Sequence, residues 1–107
     1  MEQITPVALK AWLDDNSRAK PLLLDVREPW EFDKCHIAGS QLMTMSTVPA
    51  RASELDKDGE IVVICHHGGR SFQVAMFLAQ QGFSRLYNLN GGVDGWAVQV
   101  DNAMPRY

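Results

Sequence analysis

Hydrophobic and polar positions along this chain form two kinds of segment. Short, uniformly apolar runs predict strands that are buried on both faces of a sheet. Segments whose apolar residues recur every three to four positions predict amphipathic helices. Strands are predicted at residues 22–26, 41–43, 61–64 and 86–89, and helices at 5–13, 29–34, 51–55, 72–81 and around 93–96. Because the two kinds alternate, the sequence predicts an α/β domain with a mostly parallel sheet and helices on both faces.

The segments between these elements carry turn-forming residues. Gly82 stands where a left-handed helix cap is expected, and Phe83 can then pack back onto the preceding helix. Residues 44–50 show neither pattern and predict irregular backbone. The polar segment 101–107 is expected to be poorly ordered unless it docks on the domain.

The central apolar run, Ile61–Ile64, ends in a cysteine and leads through a short loop into a helix. A strand that enters a helix through a tight loop aims its backbone N–H groups at one point. Cys65 stands at that point and faces the positive end of the helix dipole. Thiol pKa values in such settings fall to about 3.5–7.5, against about 8.5 for free cysteine. The sequence therefore predicts a nucleophilic cysteine.

The spacing within the loop follows the pattern Cys-x4-Arg, from Cys65 to Arg70. Gly68 and Gly69 let the backbone curl so that successive N–H groups converge on the sulfur or on an anionic substrate. We expect the guanidinium of Arg70 to add a bidentate contact to an oxyanion. Ser71 can cap the helix or donate a hydrogen bond to the sulfur.

The cysteine has three other interpretations. It could be an inert core thiol, although the Gly-Gly-Arg-Ser context disfavours this. Cys65, His66 and His67 could ligate a metal, but no second pair of ligands lies elsewhere, so no metal site is expected. A protease-like Cys–His pair would need a distant histidine, and His36 is the only candidate.

Charged and polar residues also follow the strand at 22–26. Asp25 and Arg27 are expected to pair with each other or with nearby backbone and so fix loops, rather than to act in catalysis. His36 is expected to be a structural, hydrogen-bonding histidine. His67 could donate a proton, but a solvent-facing position is the preferred interpretation. Cys35 is expected to have a packing role, with resolution of a persulfide on Cys65 as the alternative.

Composition limits the class of protein. The chain has 107 residues and a net charge of -3, which predicts one domain, residues 1–107, without the basic face that nucleic-acid binding needs. No apolar run approaches the roughly 20 residues of a membrane span. The N-terminus lacks the pattern of a signal peptide. Two cysteines are too few for a disulfide framework, so a cytoplasmic location is expected.

Four stretches in this order resemble the signatures of the rhodanese (sulfurtransferase) family. They are Leu23–Phe32, His36–Ser40, Val62–Ser71, and Gln81–Phe83 with Leu89–Trp96. The resemblance covers nearly the whole chain. It implies a rhodanese-like three-layer fold, with a mostly parallel sheet of about five strands and helices on both faces.

The resemblance also implies a chemistry. The thiolate of Cys65 would take the sulfane sulfur from a donor such as thiosulfate and pass it, as a persulfide, to cyanide or a thiol. Residues His66–Ser71 would bind the substrate, largely through backbone N–H groups, without a cofactor or a metal. His66 stands where many loops of the family carry an arginine, so one fixed positive charge is missing.

Two alternatives remain within this resemblance. The chain could be a sulfur-carrier module that accepts persulfide sulfur from a partner protein. Alternatively, it could be a Cys-dependent phosphatase or arsenate reductase. Relatives with those activities carry a Cys-x5-Arg loop, whereas the loop from Cys65 to Arg70 is one residue shorter. The shorter loop favours sulfur over phosphate or arsenate.

Overall fold

The protein is described here by a computed structural model that covers residues 1–107. Its strands are β1 (Glu2–Ile4), β2 (Leu22–Asp25), β3 (Gln41–Leu42), β4 (Ile61–Ile64) and β5 (Leu86–Leu89). Its α-helices are α1 (Pro6–Asp14), α2 (Pro29–Lys34), α3 (Val48–Arg51), α4 (Gly69–Gln80) and α5 (Gly92–Gln99), and short 3-10 turns flank α3 at Met45–Thr47 and Ala52–Glu54. All strand pairs are parallel, in the order β1-β5-β4-β2-β3. The predicted α/β fold with a five-stranded parallel sheet is confirmed.

The central strand β4 shows why the sheet needs helices on both faces. All four of its residues are buried. Val62 and Ile64 face one apolar cluster, whereas Ile61 and Val63 face the other. A strand that is apolar on both sides must be covered on both sides, since side chains alternate between the faces of a sheet.

The two faces are covered by different helices. On one face α1 and α5 contribute Leu9, Trp12, Val93 and Trp96. On the other face the cover comes from α3 and α4, with α4 contributing most of the buried side chains. The result is three layers, with the carboxyl end of β4 and the start of α4 meeting at one edge of the sheet, where parallel α/β folds commonly place their sites.

The N-terminal strand was not predicted. Residues Glu2–Ile4 pair with β5 at the edge of the sheet, with Glu2 and Gln3 exposed. Three residues with two polar side chains carry too little apolar pattern to indicate a strand. The pairing is instead specified by β5, whose backbone N–H and C=O groups on the side away from β4 are available to a further strand.

Two helices begin earlier than the pattern predicted. α3 spans Val48–Arg51, partly within the stretch expected to be irregular, and has a proline in its first turn. α4 begins at Gly69 rather than at residue 72, because Gly68 has a φ of 110° and ends the loop directly before the first helical residue.

The end of α4 and the C-terminal segment follow their predictions. Gly82 has a φ of 97°, and the N–H of Phe83 donates to the carbonyl of Leu78 at 3.1 Å. The polar segment 101–107 docks on the domain, since Met104 is buried and Tyr107 reaches buried polar groups. None of the helices has the length and hydropathy that crossing a lipid bilayer requires.

Candidate active site

The sulfur of Cys65 lies at the junction of β4 and α4, almost completely buried. The backbone N–H of Gly68 donates to Sγ at 3.0 Å, and the hydroxyl of Ser71 lies 3.2 Å from it. Because α4 begins at Gly69, Ser71 lies inside its first turn and faces the sulfur instead of capping the helix. The N–H groups of a first helical turn have no intrahelical acceptor, so this position favours negative charge.

The backbone of the loop is held from outside by the start of α5. The N–H of Val93 donates to the carbonyl of Cys65 at 2.9 Å, and that of Asp94 donates to the carbonyl of His66 at 3.1 Å. Gly92 makes this approach possible, because a Cβ there would overlap both carbonyl oxygens. The two carbonyls are therefore turned towards α5, which fixes the backbone of the loop at Cys65 and His66.

Arg70, the arginine of the Cys-x4-Arg pattern, is paired with a carboxylate. Its Nη1 and Nη2 donate to Oε1 and Oε2 of Glu31 at 2.6 and 2.8 Å. The Arg70 bonds, together with those from Glu28 and Tyr107, lower the pKa of Glu31 to about 2 despite its burial. Glu31 thus takes the bidentate contact that the sequence predicts between Arg70 and an oxyanion, and the contact to a substrate remains a prediction.

Asp25 and Arg27 pair with each other, as the preferred interpretation of the sequence expected. Both side chains are fully buried, with Arg27 Nη2 2.7 Å from Oδ2 of Asp25. The same guanidinium donates to the backbone carbonyls of Glu31 at 3.2 Å and Cys35 at 2.7 Å. Burial opposes the charge of Arg27, but the bonds from Asp25 and Tyr107 outweigh it and raise its pKa. The pair ties α2 and the following loop to the end of β2.

Tyr107 joins these two ion pairs. Its hydroxyl accepts from Nη1 of Arg27 at 2.8 Å and donates to Oε2 of Glu31 at 2.8 Å. Its ring stacks on His66, with centroids 3.9 Å apart and planes 7° apart. Burial and the neighbouring Glu31 raise the pKa of Tyr107 to about 12, so the phenol is protonated at neutral pH. The C-terminal segment therefore forms one wall of the site.

The two loop histidines differ in their surroundings. The ring of His66 lies between those of His67 and Tyr107, and its Nε2 is buried without a hydrogen-bond partner. Burial, and then the neighbouring His67, lower the pKa of His66, which favours the neutral imidazole. The side chain of His67 is 67% exposed, and its Nδ1 lies 3.9 Å from Asp94. This agrees with the solvent-facing interpretation of His67.

The remaining candidates lie away from the sulfur. Nδ1 of His36 donates to the carbonyl of Phe32 at 2.8 Å, and the imidazole stacks on the Phe32 ring. Both cysteines are free, but Cys35 and Cys65 pack in the clusters on opposite faces of the sheet, so the structure does not bring the two thiols together. No three His, Cys, Asp or Glu side chains are grouped so that they could hold a metal ion.

Three residues of the site were not singled out from the sequence. Two of them are Glu31 and Tyr107. Glu31 is 39 positions from its partner Arg70, and Tyr107 is 80 positions from its partner Arg27, so no local pattern connects either residue to the site. The signal for the third, Asn88, was present: it is a polar residue within the apolar run 86–89 and is buried in β5. A buried polar side chain needs hydrogen-bond partners, and here they belong to the site.

Comparison with known proteins decides the family. The model described as "Rhodanese-like domain" matches residues 5–99. The chain belongs to the rhodanese-like domain family. It is 41% identical over 76 residues to a protein named Sulfurtransferase from Allochromatium vinosum, a match that covers 71% of each chain. It is 34% identical over 74 residues to the thiosulfate sulfurtransferase GlpE from Tolumonas auensis, covering 69% of this chain and 70% of that one.

Solved structures agree with this placement. The rhodanese-like domain protein from Staphylococcus aureus superposes with a TM-score of 0.85 at 26% identity, covering 100% of this chain and 99% of that one. The resemblance drawn from the four sequence stretches is thereby confirmed, including the rhodanese-like form of the α/β fold. Family and relatives support a sulfurtransferase or sulfur-relay role for this rhodanese-like domain.

Proposed function

We propose that this domain transfers sulfane sulfur through a persulfide on Cys65, with thiosulfate as a donor. The observation that supports this most directly is the position of the sulfur. Sγ lies at the start of α4 and accepts the N–H of Gly68 at 3.0 Å. Hydrogen bonding and the helix dipole both favour a negative sulfur there, whether it is the thiolate or the terminal sulfur of a persulfide.

The reaction has two displacement steps. The thiolate of Cys65 attacks the outer sulfur of thiosulfate, a new S–S bond forms, and the S–S bond of thiosulfate breaks so that sulfite leaves with the bonding electrons. Cyanide or a thiolate then attacks the outer sulfur of the persulfide, giving thiocyanate or a new persulfide, and the Cys65 thiolate is the leaving group. Residues His66–Ser71 surround the sulfur as the proposed substrate-binding loop, and the scheme needs neither cofactor nor metal.

Intact mass spectrometry tests this proposal. The purified protein is incubated with thiosulfate, and the addition of one sulfur atom is the expected result. Cys65→Ser should abolish the adduct. Cys35→Ser is the matched control and should retain it, because that thiol packs on the other face of the sheet. Absence of the adduct together with negligible formation of thiocyanate from cyanide would contradict thiosulfate as a donor.

One observation favours a second candidate, a sulfur carrier that accepts persulfide sulfur from a partner protein. Thiosulfate is a dianion, yet the arginine of the loop is already paired with Glu31. His66 stands where many family loops carry arginine, and burial lowers its pKa and so disfavours a positive charge there. The pocket therefore offers hydrogen-bond donors but little free positive charge, which suits a less highly charged donor such as a thiol persulfide.

Competing donors distinguish the two candidates. The rate at which Cys65 gains sulfur is measured with thiosulfate and with cysteamine persulfide, whose ammonium group offsets the charge of its persulfide, at equal concentration. A carrier should react faster with the persulfide, and should then also accept sulfur from a purified desulfurase-type protein. Faster reaction with thiosulfate would contradict the carrier and leave the enzyme as the supported function.

A further inference from the structure

The hydroxyl of Ser71 lies between two groups that can accept its proton. Its Oγ is 3.2 Å from Sγ of Cys65 and 2.5 Å from Oδ1 of Asn88. All three residues are buried. A serine hydroxyl has a single proton to donate, so it cannot satisfy the sulfur and the amide oxygen at the same time.

The amide of Asn88 is fixed in one orientation. Its Nδ2 donates to Oε1 of Gln3 on β1 at 3.0 Å and to the carbonyl of Gly68 at 3.1 Å. Both amide hydrogens are thus in use, and Oδ1 faces Ser71 as an acceptor only. Because Oδ1 has no proton of its own, its contact with Oγ requires that the hydroxyl proton of Ser71 points to the amide oxygen.

This arrangement fits the protonated form of Cys65. A thiol can donate its proton to Oγ of Ser71, which in turn donates to Asn88, so all three groups are satisfied. A thiolate has no proton to donate. It keeps the N–H of Gly68 as a donor, and it gains the Ser71 hydroxyl as a second donor only if that hydroxyl turns to the sulfur. The oxygen of Asn88 would then be buried without a partner, which carries a free-energy cost.

We propose that Asn88 is a positioning residue that competes with Cys65 for the Ser71 proton and so opposes formation of the thiolate, which the N–H of Gly68 and the start of α4 favour. Turning the hydroxyl from the amide to the sulfur is then part of forming the nucleophile. The inference rests on the proposed function in taking Cys65 as the reacting group. It adds a residue on β5 that determines when this group becomes reactive.

The charged and titratable groups around the loop define the conditions of a test. They are His66, His67 and Arg70 from the loop and the start of α4, Glu31 from α2, Asp94 from α5 and Tyr107 from the C-terminal segment. The acids and Arg70 keep their charges across neutral and mildly alkaline pH, and Tyr107 keeps its proton. To remove the exposed imidazole as a variable, His67→Gln is introduced into every protein compared.

The experiment measures alkylation of Cys65 by iodoacetamide as a function of pH. The thiolate displaces iodide, forming a C–S bond as the C–I bond breaks, and the product is counted by intact mass spectrometry in a Cys35→Ser background. We expect Asn88→Ala to lower the midpoint of the alkylation profile by about one pH unit. Asn88→Asp, a stronger and negatively charged acceptor, should raise it.

A double-mutant comparison separates this role from a merely structural one. In a Ser71→Ala background no hydroxyl is left to compete for, so Asn88→Ala should leave the midpoint unchanged. An equal shift with and without the hydroxyl, or no downward shift in the Asn88→Ala protein, would overturn the proposal. If that protein does not fold, as judged by circular dichroism, Asn88→Leu, which keeps the shape of the side chain but has no acceptor oxygen, takes its place in the same comparison with and without the Ser71 hydroxyl.

The result is independent of sulfur transfer, because alkylation needs no sulfur donor. Failure of the thiosulfate reaction with a confirmed alkylation shift would contradict the proposed donor but not the role of Asn88. Persulfide formation with an unchanged alkylation midpoint would contradict the role of Asn88 but not the proposed function.

Discussion

Two arginine–carboxylate pairs lie close together in this domain, and they differ in what their arginines can reach. In the Asp25–Arg27 pair both side chains are fully buried. The remaining N–H groups of the guanidinium donate to two backbone carbonyls and to the hydroxyl of Tyr107. In the Glu31–Arg70 pair the carboxylate is buried, but the arginine side chain is 37% exposed. The first arginine has no donor left for a substrate, whereas the second is held beside the reactive loop.

The difference shows how one type of interaction serves both the scaffold and the site. Removing either member of the inner pair, Asp25–Arg27, leaves a buried charge without a partner. Removing the charge of Glu31 instead frees a positive charge next to Cys65. The hydroxyl of Tyr107 contacts both pairs, so the two are neighbours in one hydrogen-bond network.

The largest expected effect comes from breaking the inner pair. Arg27→Met should lower the free energy of unfolding by about 3–5 kcal/mol, because it leaves the Asp25 carboxylate buried and unpaired. Urea denaturation measures the change. Arg51→Ala removes the exposed pair with Glu54 and should leave the midpoint unchanged. Similar losses of stability in the two variants would contradict the view that Arg27 compensates a buried charge on Asp25.

The outer pair, Glu31–Arg70, should make stability depend on acid. The folded pKa of Glu31 is about 2, against an ordinary value of 4.5. A lowered folded pKa gives stability that is present above pH 4.5 and is lost as pH falls towards 2. The shift corresponds to on the order of 3 kcal/mol. Unfolding free energies measured across this range should therefore fall less steeply for Glu31→Gln than for the parent protein, and parallel profiles would contradict the assignment.

The link between the pairs should contribute less. Tyr107→Phe keeps the ring on His66 but removes a hydroxyl that is bonded to two charged groups, and we expect a loss of about 1–2 kcal/mol. Thermal or urea unfolding measures it. Arg106→Ala, which removes an exposed pair with Asp94 in the same segment, serves as the control and should cause no measurable change. An equal loss of stability in Tyr107→Phe and Arg106→Ala would mean that exposed contacts, rather than the buried hydroxyl, hold the C-terminal segment on the domain.

The smallest expected effect is on reactivity. Glu31→Gln keeps an oxygen for Arg70 but removes the negative charge, so thiosulfate should add sulfur to Cys65 about fivefold faster at low salt. The gain should shrink as ionic strength rises. Rates are followed by mass spectrometry, and adding Arg70→Gln should abolish the gain. A rate that is insensitive to the change at every salt concentration would show that Arg70 does not influence the donor.

Local patterns in the sequence were sufficient for most of the fold and for the centre of the site. The apolar runs in β2 and β4 predict strands that are buried on both sides. Ser71 is only six residues after Cys65, so their contact can be predicted from the local sequence. The edge strand β1 could not be found this way, because its partner β5 specifies it.

Long-range contacts account for the part of the site that was missed. The sequence predicts that Arg70 is near the sulfur but does not indicate that Glu31 neutralises it, since the two meet only after α2 and α4 have packed. The docking of Tyr107 likewise depends on Glu31 and His66, which are far from it in the sequence and lie side by side only in the folded domain.

Gly92 has a consequence for redesigning this domain. The carbonyls of Cys65 and His66 are fixed by N–H groups of α5, and only a residue without a side chain fits between them. The shape of the loop is therefore set in part by a residue outside the loop, alongside Gly68 within it, and neither of these two positions depends on the side chains of His66 and His67. A library randomised at His66 and His67 should yield mostly folded clones, whereas one randomised at Gly92 should yield few.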